Sequence, residues 1–301
     1  MSERAPPRPE AFSAAASAPS GRTLIVVLTA VAMLAFAANS LLARLAFQTS
    51  AIDAAGFTVI RIVAGALTLL AIVRLQRQSL VLPRGAPYSA TLLFVYAAAF
   101  SFAYRDIGTG AGALVLFASA QLVMIGYGLV KGERASVPGL LLALGGLAAF
   151  LLPSASSPPL GAALLMALAG CAWGGFSLLG RTAGPPVINT AASFLLAVPL
   201  ALALLLLQHD ALVFDALGSA YAVVSGSITS ALGYAVWYWV RSRLSAIGAG
   251  AVQLSVPVIG AVMGLLFLGE RMSAWSVGAG LATLAGVAWV MLSAKKAPPP
   301  R

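Results

Sequence analysis

Two short stretches of the chain carry side chains whose types and spacing could bind a small molecule. The first stretch consists of Phe36, Asn39, Ser40 and Ala43. The second, 137 residues further on, consists of Trp173, Phe176, Ser177 and Gly180. Spacings of i, i+3, i+4 and i+7 place each set on one face of an α-helix. Each face therefore offers at least one aromatic ring for an apolar part of a ligand and a hydroxyl group for a polar part.

Further polar and aromatic residues lie within the long apolar stretches of the sequence. Tyr96 and Tyr234 are 138 residues apart, and Gln121 and Gln253 are the two glutamines of these stretches. A phenol or amide group is costly to leave facing lipid, so these side chains are expected to face partners or a wet cavity. The alternative for the aromatic residues is packing. A second aromatic group, Trp237, Tyr238 and Trp239 beside Arg241, is predicted to form an interfacial belt on the cytoplasmic side.

Arg61 is a charged residue inside an apolar stretch. It lies eight residues after Asp53, which places it about 12 Å from the outer end of a helix at about 1.5 Å per residue. One interpretation is structural, with the side chain reaching back to the interface or pairing with a polar neighbour. The other is functional, with the guanidinium meeting a substrate carboxylate, since ionisable groups within membrane spans are commonly functional.

The elements that must position these residues are membrane-spanning helices. Hydrophobic residues make up 60% of the chain and charged residues 9%, which lies outside the range of soluble globular domains. Ten apolar runs are long enough to cross a bilayer: 23–43, 54–73, 86–104, 108–130, 137–152, 160–180, 187–207, 216–240, 245–268 and 274–294. Such long runs exclude a β-barrel. The sequence thus predicts an all-α membrane protein of ten transmembrane helices.

The basic residues predict the orientation of these helices. If the N-terminus is cytoplasmic, fourteen Lys and Arg residues lie inside and three, Arg44, Arg105 and Arg271, lie outside. This bias places both termini in the cytoplasm. The net charge of +10 is therefore attributed to topology, and no nucleic-acid partner is expected. Residues 1–22 and 295–301 are expected to be cytoplasmic tails, the first of them disordered.

An internal duplication divides the chain into two five-helix repeats, 23–152 and 160–294. "GER" occurs at 132–134 and again at 269–271, and the same offset of 137 aligns "SLLAR" at 40–44 with "SLLGR" at 177–181. A third match, "GAGA" at 110–113 and 248–251, needs one more residue. Because five is odd, the second repeat enters the membrane from the opposite side. The prediction is two inverted repeats around a central cavity, with both GER loops serving to close hairpins.

The most informative segment for family resemblance is "QLSVPVIGAVMGLLFLGERMSAWSVGAGLATLAGVAWVML". An apolar helix with a proline, ending in "LGE" and followed by a Gly-rich helix, resembles the EamA-type drug/metabolite transporters. Within that superfamily the chain is most similar to exporters of amino acids and related metabolites, such as aromatic amino acid exporters. The first repeat departs from the pattern, because Ser119 or Ala120 stands where the second repeat has Pro257.

The resemblance implies a secondary transporter of the bacterial inner membrane. The expected substrates are aromatic or other neutral amino acids, exported by alternating access. A flippase for a lipid-linked substrate and a carrier of drugs or other metabolites are the alternatives. An enzyme is not expected, since His209 lies in a loop and no acidic residue lies within a span. No cofactor or metal is expected, a monomer suffices, and the position of the acids favours uncoupled facilitated diffusion.

Overall fold

The computed structural model describes residues 21–107, 109–151, 159–180, 185–268 and 273–293. These parts of the chain form twelve α-helices, which are numbered here in chain order: α1 (Gly21–Thr49), α2 (Ala54–Leu75), α3 (Ala86–Ala103), α4 (Thr109–Val130), α5 (Val137–Leu151), α6 (Leu160–Leu179), α7 (Pro186–Leu207), α8 (Ala216–Val224), α9 (Gly233–Arg241), α10 (Ala246–Gln253), α11 (Ser255–Leu268) and α12 (Ala274–Ser293). A π-helix, Ser225–Leu232, joins α8 to α9.

The fold is that of an all-α membrane protein. Seven helical segments in the described residues are long and apolar enough to span a bilayer, and α5 and part of α4 are shorter apolar helices. The predicted helical regions are found, with differences at their ends. The first helix begins at Gly21 and continues to Thr49, so Arg44 lies within a helix. Most of the two predicted tails, and the second GER motif, lie outside the described residues.

Two segments that the sequence presents as single spans are interrupted. Between α8 and α9 the backbone is a π-helix of eight residues. Between α10 and α11 the helix breaks at Leu254, whose amide donates to Ala251 three residues back. Pro257 explains this second break, because its ring has no N–H group and would clash with the carbonyl of Gln253. In contrast, α4 is continuous.

The helices pack as neighbours in a regular set of pairs. Helices α3 and α4 of the first half of the chain pack against α6 of the second half, and α3 also packs against α7. The α8–α9 segment (Ala216–Arg241) and α11 of the second half pack against α1 of the first half, and the α8–α9 segment also packs against α2. Three further pairs join the halves directly, α2 with α7, α4 with α10, and α5 with α12.

The α5–α12 pair is held by close approach of the two backbones. A Cβ atom added at Gly286 would lie 2.3 Å from the amide nitrogen of Ala143, and one at Gly146 would lie 2.6 Å from that of Thr283. Lipid supplies no hydrophobic drive between helices, so such contacts depend on small residues that let helices touch.

The first GER loop is fixed by its glutamate. The carboxylate of Glu133 accepts hydrogen bonds from the amides of Ala246 at 2.8 Å and Ile247 at 2.9 Å, which are the first two residues of α10. These amides have no partner within the helix, and a negative charge there is favourable. The loop between α4 and α5 is thereby attached to the start of α10. This contact supports the structural interpretation of the motif.

Glu133→Gln should destabilise the protein, because it removes the negative charge and one of the two accepting oxygens. Charge-assisted hydrogen bonds contribute about 1.5–3 kcal/mol, and the side chain is only 7% exposed. We expect a loss of about 1–3 kcal/mol, measured as a lower thermal midpoint in detergent. The control is Asp210→Asn, since Asp210 is 93% exposed and pairs with its neighbour His209. Equal midpoints for both variants would contradict the capping role.

Candidate functional site

Four aromatic rings meet at the centre of the helical bundle. The ring centroids of Phe36 and Trp173 lie 5.1 Å apart in an edge-to-face arrangement. Tyr96 lies 5.1 Å from Trp173, and Tyr234 lies 5.8 Å from Phe36. Trp173 and Tyr234 complete the cluster at 4.9 Å. These distances lie within the range of favourable aromatic pairs. The two residue pairs that the sequence relates by the offset of the repeat therefore come together in space.

A cavity lies beside this cluster. Its wall contains six residues that the sequence predicted as candidates, Phe36, Asn39, Ser40, Tyr96, Trp173 and Tyr234, and three that it did not, Leu116, Phe117 and Val256. The centre of a water molecule can move within about 20 Å³. Roughly 10–15 Å³ by this measure holds one water, so an amino acid does not fit until the aromatic side chains move.

The π-helix supplies polar side chains to one end of the site. The hydroxyl groups of Ser225 and Thr229 both donate to the side-chain oxygen of Asn39, at 2.6 and 3.2 Å. Ser230 lies on the same side and accepts from Arg61. In a π-helix, residues five apart come close to the same face, which brings Ser225 and Ser230 together. The short polar run at 225–230 is a signal that sequence analysis missed.

Trp173 and Gln253 connect α6 to α10. The indole N–H of Trp173 donates to the side-chain oxygen of Gln253, and the Gln253 amide donates to the sulfur of Met124 and the carbonyl of Ala249. Gln253 thus lies behind the cavity wall and orients a ring that lines it. Gln121 is buried against Gly250, and its amide has no hydrogen-bond partner among the described residues.

Arg61 is directed into the protein and not towards the membrane interface. Its side chain is 1% exposed. The Nε group donates to the hydroxyl of Ser230 at 3.0 Å, and one Nη group donates to the hydroxyl of Tyr234 at 2.6 Å. The guanidinium also lies over the rings of Tyr96 and Phe100, 5.3 and 5.9 Å from their centroids. The second Nη group has no hydrogen-bond partner in the described part of the chain.

A second aromatic layer lies behind the first. Phe176 packs on Tyr234 and Tyr238, Ser177 accepts a hydrogen bond from the indole of Trp237, and the Tyr238 hydroxyl donates to the carbonyl of Phe176. The prediction that Trp237 and Tyr238 form an interfacial belt is wrong, since both are buried. Trp239 is only partly buried, and the Arg243 guanidinium lies 3.5 Å above its ring. Phe176 and Ser177 support the site without lining the cavity.

The sequence could identify the polar and aromatic members of this site but not the aliphatic ones. Leu116 and Val256 resemble dozens of other apolar residues in the spans, and nothing in their type marks them as part of a cavity wall. The positions of Arg61 and Gln253, each one side chain behind the wall, follow from tertiary packing. Sequence spacing within a single helix does not determine such contacts.

The acidic residues of the described chain lie away from the cavity. Asp53 caps α2 and also accepts from the amide of Val213, while Asp215 caps α8. Asp106 is exposed, and Asp210 pairs with His209 at 2.7 Å on the surface. In the described residues, no group of three or more His, Cys, Asp or Glu side chains could hold a metal ion.

Gln253→Leu should destabilise the protein by leaving the indole N–H of Trp173 buried without an acceptor, at a cost of about 1–3 kcal/mol. Trp173→Phe removes the donor, so the double variant should lose less than the sum of the two single variants. A double-mutant cycle of thermal midpoints in detergent measures this coupling. Strict additivity of the two changes would show that the hydrogen bond contributes nothing to stability.

Comparisons with known proteins identify a related family, a similar sequence and a shared fold. The sequence model of the EamA-like transporter family matches residues 160–292. An uncharacterized protein of Pseudomonas aeruginosa is 49% identical over 276 residues, which cover 91% of this chain and 96% of that protein. A protein of known crystal structure has the same fold, with a TM-score of 0.76 and 17% identity over 90% of this chain and 98% of the other.

Proposed function

Because the chain belongs to the EamA-like transporter family, we propose that it exports aromatic or other neutral amino acids by alternating access. The family implies a membrane transporter of small molecules rather than an enzyme. The observation that supports the choice of substrate is the aromatic cavity. Rings from Phe36, Tyr96, Trp173 and Tyr234 surround it, and Asn39 and Ser40 add polar groups to the wall. An apolar or aromatic side chain suits such a wall.

The packing of the helices supports a ten-span bundle of two inverted repeats. In this proposal each helix of the first half has an equivalent in the second half. The equivalents of α1, α2 and α5 are α6, α7 and α12, in that order. The equivalent of α3 is the α8–α9 segment, and that of α4 is the α10–α11 segment (Ala246–Leu268). When each helix is replaced by its equivalent, the α3–α6 contact becomes the contact of the α8–α9 segment with α1. In the same way, the α4–α6 contact becomes the contact of α11 with α1. The pairs α2–α7, α4–α10 and α5–α12 convert into themselves. Such a pattern is expected around a two-fold axis in the membrane plane.

The same axis accounts for the central cluster. Phe36 and Trp173 occupy equivalent positions in the two repeats and contact each other. The contact of Tyr96 with Trp173 becomes, on exchange, that of Tyr234 with Phe36. A cavity at the interface between repeats is where a carrier of this architecture binds its substrate. Rocking of one repeat against the other would open this cavity to alternate sides.

Uncoupled facilitated diffusion is the proposed energetic mode. Proton-coupled carriers use a titratable group among the spans. In the described residues, the acids Asp53, Glu133 and Asp215 are hydrogen-bonded to amides at helix N-termini, and Asp106 and Asp210 are exposed. None of the five lines the cavity.

Purified protein in proteoliposomes should exchange L-phenylalanine by counterflow with equal pH and equal sodium on both sides. An imposed proton or sodium gradient should not drive accumulation, because no acidic or histidine side chain of the described residues lines the cavity to couple to it. Trp173→Ala and Tyr96→Ala should each lower the exchange rate at least about 10-fold, since each removes part of the cavity wall. The quantity measured is the initial rate of labelled substrate entry.

The matched controls for these variants are Trp289→Ala and Tyr88→Ala, which alter rings that are 49% and 72% exposed on α12 and α3. Both should transport at the rate of the unmodified protein. Wild-type rates for Trp173→Ala and Tyr96→Ala would contradict the proposed site. Accumulation driven by a proton gradient and abolished by Asp106→Asn would contradict the uncoupled mode. Exchange of a lipid-linked substrate, and none of amino acids, would favour a flippase.

The proposed location is the inner membrane with both termini in the cytoplasm, and thiol labelling tests it. In a Cys171→Ser background, a cysteine at Ser2 or Ala297 should be protected from a membrane-impermeant reagent in intact spheroplasts. A cysteine at Ser156 should react, because the orientation rule places that loop outside. The reverse labelling pattern would contradict this orientation.

A further inference from the structure

Arg61 carries a buried positive charge with no acidic partner. The side chain is 1% exposed on α2, and its hydrogen-bond acceptors are the neutral hydroxyl groups of Ser230 and Tyr234. No carboxylate of the described residues forms an ion pair with it. A charge inside a low-dielectric bundle is costly unless it is paired or hydrogen-bonded throughout. The described surroundings satisfy this requirement only in part.

The unmet hydrogen-bonding capacity of the guanidinium lies at one of its two Nη groups. One Nη group donates to Tyr234, but the other is buried and has no hydrogen-bond partner among the described residues. A planar guanidinium presents paired N–H groups that match the two oxygens of a carboxylate. A ligand carboxylate would supply both the missing acceptor and the missing negative charge.

The guanidinium lies directly behind the wall of the aromatic cavity. Tyr234 accepts its hydrogen bond and Tyr96 lies under it at 5.3 Å, and both tyrosines line the cavity. A ligand whose apolar body lies against Phe36 and Trp173 would therefore be about one side chain away from this charge. The π-helix between α8 and α9 adds the hydroxyl of Ser230 to the same place.

We infer that Arg61 is an anion site for the carboxylate of a small ligand whose apolar or aromatic body occupies the cavity. This inference rests on the proposed transport function and specifies its substrate class. The Tyr234 hydroxyl holds the acceptor position while the cavity is too small for a substrate. As the rings separate, the carboxylate replaces the Tyr234 hydroxyl as the hydrogen-bond acceptor of the guanidinium. No acid of the described residues lines the cavity to pair with an ammonium group, so the carboxylate is required and the amine is dispensable.

Binding of four related probes to the purified protein in detergent tests the inference. The probes are 3-phenylpropanoate, its neutral amide 3-phenylpropanamide, phenethylamine and L-phenylalanine, and isothermal titration calorimetry gives the dissociation constants. The unmodified protein should bind 3-phenylpropanoate roughly 10- to 100-fold more tightly than the amide, as expected for charge-assisted hydrogen bonds. Phenethylamine, which lacks the carboxylate, should bind no more tightly than the amide.

Arg61→Gln should weaken the binding of 3-phenylpropanoate roughly 10- to 100-fold and change the affinity for the amide less than about 3-fold. The preference for the propanoate over the amide should therefore disappear. The matched control is Arg243→Gln, which removes an exposed arginine at the end of α9 and should keep the preference. If the Arg61→Gln protein is not monodisperse, Arg61→Lys serves instead. It retains the charge without the paired donors, and should weaken the propanoate several-fold relative to the amide.

An unchanged preference in Arg61→Gln, or in Arg61→Lys where the Gln variant does not fold, would overturn the anion site. So would tighter binding of phenethylamine than of the propanoate, or no detectable binding of any probe by the unmodified protein. Binding of L-phenylalanine without binding of the propanoate would also overturn the inference, because it would show that the ammonium group is required. If the propanoate binds through Arg61 but L-phenylalanine is not exchanged in liposomes, the anion site stands and the amino acid export proposal fails.

Discussion

Water does not reach the hydrocarbon core of a membrane, so a polar side chain on a buried helix face must find its partner inside the bundle. Three such pairings join helices from different parts of this chain. Asn39 of α1 accepts from Ser225, Arg61 of α2 donates to Ser230 and Tyr234, and Trp173 of α6 donates to Gln253. Each pairing fixes one helix against the α8–α9 or α10 segment. The cavity lies where these pairings meet, and its shape depends on them.

The contacts around the cavity differ in kind from those at the edge of the bundle. The α5 and α12 helices touch backbone to backbone at Gly146 and Gly286, and such contact holds the two helices at a short separation. At the cavity, rings and hydroxyl groups make the contacts, and side chains can change rotamers without breaking a helix. The interruption at Leu254 and the π-helix lie beside this region, where regular backbone hydrogen bonding is already altered. Conformational change is therefore easier at the cavity than at the periphery.

The sequence predicts much of this arrangement, because membrane spans obey simple rules. Long apolar runs predict the helices, and the 137-residue offset picks out Phe36 and Trp173, which contact each other. Helix spacing could not show that Trp237 and Tyr238 are buried, since an interfacial position and a buried one use the same residues. The π-helix was also missed, because its serines and threonine are compatible with an ordinary helix. The role of Glu133 needed the start of α10, which lies 113 residues away in sequence.

In the proposed inverted repeat, the site is less symmetric than the scaffold that surrounds it. The offset that relates Phe36 to Trp173 places Val198 opposite Arg61 and Phe176 opposite Asn39. Pro257, which interrupts α10 and α11, has no equivalent in the continuous α4. Rocking between two states needs two similar halves, because each half must adopt the conformation that the other half had in the first state. Ligand recognition has the opposite requirement, since a ligand with a single carboxylate needs one positive charge and not two. Arg61 beside the paired rings of Phe36, Trp173, Tyr96 and Tyr234 would satisfy both requirements.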